Sequence, residues 1–84
     1  MRETNYHYVY ILTSLKDPNR HYIGITTNLT ARLKKHNEGG NSHTSKDRPW
    51  QIDIAIRFTD KEKATAFETY LKTGSGREFS RRHF

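Results

Sequence analysis

Six side chains of this 84-residue chain are of types that could together handle a phosphate ester: Tyr8, Tyr10, Tyr22, Arg32, His36 and Glu68. Arginine presents a planar fork that matches phosphate oxygens. A carboxylate is a hard oxygen ligand for Mg²⁺, which keeps waters and shares the phosphate. Each residue also has an ordinary reading. A strand tyrosine packs under a helix, and Arg32 can lay its stem on the core with its head in water. His36 can satisfy the last carbonyls of a helix, and Glu68 can pair with Lys72 at i+4. Taken together, these readings ask a small domain to bury many polar heads. Each needs a partner or costs about 1–3 kcal/mol. A site for an anion and a metal ion uses all of them.

The stretch from His21 to His36 must do most of the positioning. His21, Ile23 and Ile25 alternate with Tyr22, Gly24 and Thr26, the period of a strand. Thr27-Asn28 offers a helix N-cap. In the helix that follows, Leu29, Leu33 and His36 fall at i, i+4 and i+7, with Arg32 on the same side. A face expected to dock on a sheet thus carries an arginine and a histidine beside two leucines.

Tyr6 to Thr13 reads as the first strand, with Tyr6, Tyr8, Tyr10 and Leu12 on one face and His7, Val9, Ile11 and Thr13 on the other. Asp17-Pro18-Asn19 marks a turn, and the second strand, about Arg20 to Thr26, returns antiparallel. Setting Val9 and Ile11 against Ile23 and Ile25 puts Tyr8, Tyr10 and Tyr22 on one side. Gly24 then leaves a gap there, open to a ligand or another backbone. The first helix runs from Leu29 to Asn37 and stops at Glu38-Gly39-Gly40. Asn41 to Pro49 is expected to be a polar surface loop. Trp50 to Phe58 is the third strand, with Ile52, Ile54, Ile56 and Phe58 on one face. Thr59-Asp60-Lys61-Glu62 reads as a capping box for a second helix, whose stripe is Ala64, Phe67 and Leu71, with Glu68 in or beside it. Gly74 should close that helix, and Ser75-Gly76-Arg77-Glu78 should open a short basic one anchored by Phe79 and Phe84. The expected fold is α+β, a small three-stranded antiparallel sheet flanked by helices in the order β-β-α-β-α-α. Residues 1–84 are read as a single domain.

The net charge of +6 and the pI near 9.8 favour an anionic partner. With no cysteine there is no disulfide framework and no thiolate metal site. No apolar run reaches the roughly 20 residues of a membrane span. No helix pairs a basic face with a broad apolar one, so a membrane partner is not expected. The cytoplasm is the expected compartment.

Tyr8-Val9-Tyr10, Tyr22-Ile23-Gly24, Arg32, His36 and Glu68, in that order, resemble the motifs of the GIY-YIG nuclease superfamily. The resemblance covers almost the whole chain. The first motif lacks a glycine, so only its tyrosine carries over. Together with the tail Tyr70-Leu71-Lys72-Thr73-Gly74-Ser75-Gly76-Arg77, these motifs are most similar to the small stand-alone, UvrC N-terminal-like (URI) proteins. The resemblance implies hydrolysis of a phosphodiester bond, most simply in DNA, with one divalent metal, Mg²⁺ or Mn²⁺, held by Glu68. It also implies that Tyr22 deprotonates or positions the attacking water, that Arg32 stabilises the phosphate, and that Tyr10 and His36 orient water and phosphate. A free tyrosine, with pKa about 10, costs roughly 4 kcal/mol to ionise at pH 7. Arg32 and a metal-bound water would reduce that cost. His36 is the rival base, since an unperturbed imidazole titrates near 6.5; the residues leave the choice open.

Lys35, Lys46, Arg48, Lys72 and Arg77 are the expected contacts to nucleic acid, with a homodimer or a larger complex supplying further specificity. The alternative to an endonuclease is a non-catalytic nucleic-acid-binding module on the same fold, which predicts salt-sensitive binding without a metal site. A purely structural partner domain needs a large exposed apolar patch, which a hydrophobic content of 32% argues against.

Overall fold

Alternating aromatic and β-branched residues make His7–Ser14 a strand, β1, and the computed structural model places it at the centre of the sheet. The structure describes residues 6–84; the first five positions of the 1–84 span lie outside it. His21–Thr26 (β2) and Trp50–Phe58 (β3) pair antiparallel with β1 on either side, giving the order β2-β1-β3. Three helices complete the α+β fold: Leu29–Asn37 (α1), Lys61–Leu71 (α2) and Gly74–His83 (α3). The order β-β-α-β-α-α is the one expected.

The hairpin register is also as expected. Val9 opposes Ile25 and Ile11 opposes Ile23, while Tyr10 faces Gly24 and Leu12 faces Tyr22. Directly opposed residues share a face, so the two sides of the sheet separate cleanly. Beneath α1 lie Tyr10, Leu12 and Trp50, with Tyr22, Leu29, Leu33 and Ile52 packed against them. Beneath α2 and α3 lie Val9, Ile11, Ala64 and Leu71, with Ile23, Ile25, Ile54, Phe58, Phe67 and Phe79.

Strand β3 departs from the sequence reading. The register shifts between Ile11 and Leu12, so that Ile54 opposes Ile11 whereas Ile52 opposes Leu12. A β-bulge at Asp53 therefore divides the isoleucine stripe. Ile54, Ile56 and Phe58 share the face of α2, whereas Ile52 and Trp50 serve the α1 side. One strand thus feeds both cores.

The gap at Gly24 is filled by the chain's own Tyr10. A methyl built on Gly24 would stand 2.6 Å from the Tyr10 Cζ and closer still to its hydroxyl. The expected approach of a ligand or backbone at that point is pre-empted by a phenol ring. Gly24→Ala must therefore displace the ring, and overpacking of this kind costs about 1–3 kcal/mol. Urea titration of the variant should show a midpoint lowered accordingly, with an unchanged slope.

Asn28 caps α1 by accepting from the Ala31 N–H at 3.0 Å. The helix ends through Gly39, at φ +82°, where the Gly40 N–H reaches the Lys35 carbonyl at 2.9 Å. Two other caps are displaced by a residue or two. Asp60, not Thr59, caps α2, accepting from the Glu62 N–H at 2.8 Å. Thr73, not Ser75, caps α3, accepting from the Gly76 N–H at 3.1 Å. Lys72 already leaves the α2 ladder by bonding back to the Thr69 carbonyl, so Gly74 opens α3 instead of closing α2.

Candidate active site

Tyr10 sits at the centre of the sheet and is only 1% exposed. A buried phenol must spend its hydroxyl on a partner, and that partner is His36, whose Nε2 lies 3.0 Å away. His36 is itself fully buried on the inner face of α1, and its Nδ1 lies 2.8 Å from the hydroxyl of buried Thr44. The Thr44 hydroxyl donates to the Asn41 carbonyl. Its oxygen therefore accepts from the His36 Nδ1–H, which leaves Nε2 as the acceptor for the Tyr10 O–H. The Tyr10 oxygen keeps lone pairs for a further donor, and Arg32 acts on it as one.

Tyr22 completes the cluster. Its ring centroid lies 4.9 Å from that of His36 and 6.4 Å from that of Tyr10. Arg32, one turn before His36 on α1, donates from Nη1 to the Ile25 carbonyl at 3.4 Å. Glu68, on α2, is mostly covered, and its Oε2 lies 3.0 Å from the Lys72 Nζ.

Burial and neighbouring charges move two of these groups from their ordinary values. Burial pushes the Tyr10 phenol above its ordinary pKa; a hydrogen bond and the positive charge of Arg32 oppose this, while Tyr22 and Glu68 add to it. His36 moves the other way. Burial, then the charges of Arg32 and Lys35, hold its imidazole below the usual value.

That direction has a consequence for stability. Below the unfolded pKa of about 6.5, the unfolded chain binds this proton more readily than the native one. The stabilisation from neutral His36 is fully present above that pH and is lost as the pH falls towards the lower native value. Thermal melting followed from pH 8 to pH 5 should show stability falling on the acid side, and His36→Asn should flatten that part of the curve.

The five basic residues fall in three places. Lys72 and Arg77 line a cleft of about 660 Å³ that also includes Tyr22. Lys46 and Arg48 lie elsewhere, within and just after a short 3₁₀ turn at Ser45–Asp47 that Ser14 pins to the end of β1 through the Asp47 carbonyl, at 2.6 Å. Lys35 is exposed on α1.

The Asn41–Pro49 segment is more than a polar surface loop. Thr44 is 1% exposed, and its carbonyl accepts from the Trp50 indole at 2.8 Å. Sequence reading missed Thr44 because a threonine among Asn, Ser, His and Lys has no periodicity to mark it as buried. Among the described residues, no three or more His, Asp or Glu side chains gather as a metal cluster. Nor is any helix there long and apolar enough to cross a membrane.

The chain belongs to the GIY-YIG family: the GIY-YIG catalytic domain matches residues 6–82. It is 39% identical over 71 residues to the UPF0213 protein YazA of Bacillus subtilis, covering 83% of this chain and 70% of that protein. It is also 42% identical over 65 residues to the structure-specific endonuclease subunit slx1 of Talaromyces marneffei, covering 70% of this chain but 17% of that one. The subunit SLX1 of Candida dubliniensis is 39% identical over 71 residues, 76% of this chain and 25% of its own length. The family and the SLX1 relatives support a nuclease on a GIY-YIG domain.

Proposed function

We propose that this protein is a metal-dependent endonuclease that hydrolyses phosphodiester bonds in DNA. The observation that carries the reading is the cluster of Tyr10, Tyr22 and His36, whose ring centroids lie 4.9 to 6.4 Å apart, with Arg32 beside Tyr10 under α1.

The donor set suits a shared ion. Glu68 brings one carboxylate without a surrounding cluster, which is how Mg²⁺ is often held when substrate phosphate and waters supply the other ligands. Glu68 would hold Mg²⁺ or Mn²⁺, and the bound ion would supply an acidified water and offset phosphate charge. Tyr22 takes a proton from the attacking water or holds that water in line. Arg32 binds the phosphate oxygens as charge builds on them. Tyr10 orients the same water and phosphate through its hydroxyl. His36 has both ring nitrogens engaged, so it serves as a positioning residue and leaves the base role to Tyr22. Thr44 fixes its tautomer. Lys35, Lys46, Arg48, Lys72 and Arg77 meet the anionic backbone, and a second copy or a partner adds specificity.

Incubation of the purified protein with plasmid, branched DNA and RNA, each with Mg²⁺, Mn²⁺ or EDTA, tests the proposal. Cleavage of DNA that needs the metal and disappears in Glu68→Ala is the expected result. Salt-sensitive binding with no cleavage of any substrate would leave the binding-module reading in its place.

A further inference from the structure

The cleft beside Tyr22 lies between the β1–β2 hairpin and α3. Its floor is apolar: Ile11 and Ile23 from the hairpin, Leu71 from the end of α2, and Phe84. Lys72, Arg77 and Arg81 stand around it, as does Asp53 on the bulge of β3. These cations are not equivalent. Lys72 is paired with Glu68, and Arg81 is held by both carboxylate oxygens of Glu78 on its own helix. Arg77 is exposed and has no ion-pair partner among the described residues.

A duplex has little use for such a floor, because its bases are stacked inside and it presents phosphates and groove edges. An unpaired nucleotide is different. It carries a flat apolar face that gains by stacking on an aromatic ring and a phosphate that seeks a cation. The cleft offers both, next to a candidate catalytic tyrosine. Phe84 is 44% exposed, and its ring lies 5.5 Å from that of Phe79, edge to face, so that Phe79 braces it. Ser80, in the same wall, has a buried hydroxyl without a hydrogen-bond partner among the described residues.

From this arrangement we infer that the cleft seats an unpaired nucleotide of the strand being cut, its base on the Phe84 and Ile23 floor and its phosphate towards Arg77. Asp53 stands against this as an anionic wall, so the phosphate side is the α3 side. The inference rests on the nucleic-acid reading above and deepens it: the preferred substrate has a single-stranded segment next to the scissile bond.

The test is a binding measurement in EDTA, where no cleavage can interfere. Fluorescence anisotropy is followed with labelled oligothymidylate, oligouridylate and a DNA duplex of matched length. Phe84→Ala should weaken binding to the unpaired probes about 5- to 100-fold, the loss expected for one base stack. Duplex binding should change less than twofold, and Phe84→Tyr should restore the wild-type affinity. Arg77→Ala should weaken the unpaired probes more than the duplex and lower the salt dependence by about one phosphate contact. Phe84 lies at the exposed end of α3, and a melting curve confirms that each variant is folded. Equal weakening of paired and unpaired probes, or none, overturns the cleft assignment. A protein that binds unpaired strands through Phe84 yet never cuts would refute the endonuclease proposal and leave the cleft standing.

Discussion

Glu68→Ala should leave a folded protein that binds nucleic acid and no longer cuts it, with turnover reduced by at least about 100-fold. The structural cost is small. The Glu68–Lys72 pair joins a mostly covered carboxylate to an exposed ammonium, and such i,i+4 pairs contribute only a few tenths of a kcal/mol. Alanine is also the best helix former, so α2 keeps its backbone. Melting temperature and binding should therefore hold while turnover collapses. Raising Mg²⁺ or Mn²⁺ should not rescue the variant if Glu68 is the ligand, because the protein then lacks it. Residual cleavage near the wild-type rate would show that Glu68 has no part in the chemistry.

Tyr22→Phe removes a single oxygen. The ring remains, with its neighbours Tyr10 and His36 at 6.4 and 4.9 Å between centroids, so packing and stability are preserved. A positioned acid or base contributes about 10²- to 10⁴-fold to a rate, and a loss in that range is expected in single-turnover cleavage, with substrate affinity unchanged. His36→Gln distinguishes the two candidate bases. Both nitrogens of His36 are already spent inside the fold, so this variant should lose stability and should perturb Tyr10, not remove the proton acceptor. If Tyr22→Phe cuts at full rate while a folded His36→Gln protein does not, the two roles are exchanged.

The parts of this molecule written as local periodicity were legible in its sequence. The register of the hairpin, the tyrosine-bearing side and the polar residues on the inner face of α1 follow from period-2 and i, i+4 patterns. The division of the β3 stripe was not legible. A bulge adds one residue to one strand, and Gln-Ile-Asp-Ile-Ala-Ile alternates just as well with or without it. The caps of α2 and α3 were misplaced where two oxygen-bearing side chains lie close together, at Thr59 and Asp60 and again at Thr73 and Ser75. Backbone geometry, not residue type, chooses between them. Thr44 was invisible because its value comes from a histidine eight positions earlier, a relation that no local pattern records.

The contact between Thr44 and His36 makes the segment before Pro49 an internal brace for Tyr10. Anyone wishing to redirect this domain by exchanging that segment meets a constraint its polarity conceals. Graft libraries that randomise position 44 will disturb the phenol from behind, whereas those that retain a hydroxyl there leave the exposed Ser42 and His43 open to redesign.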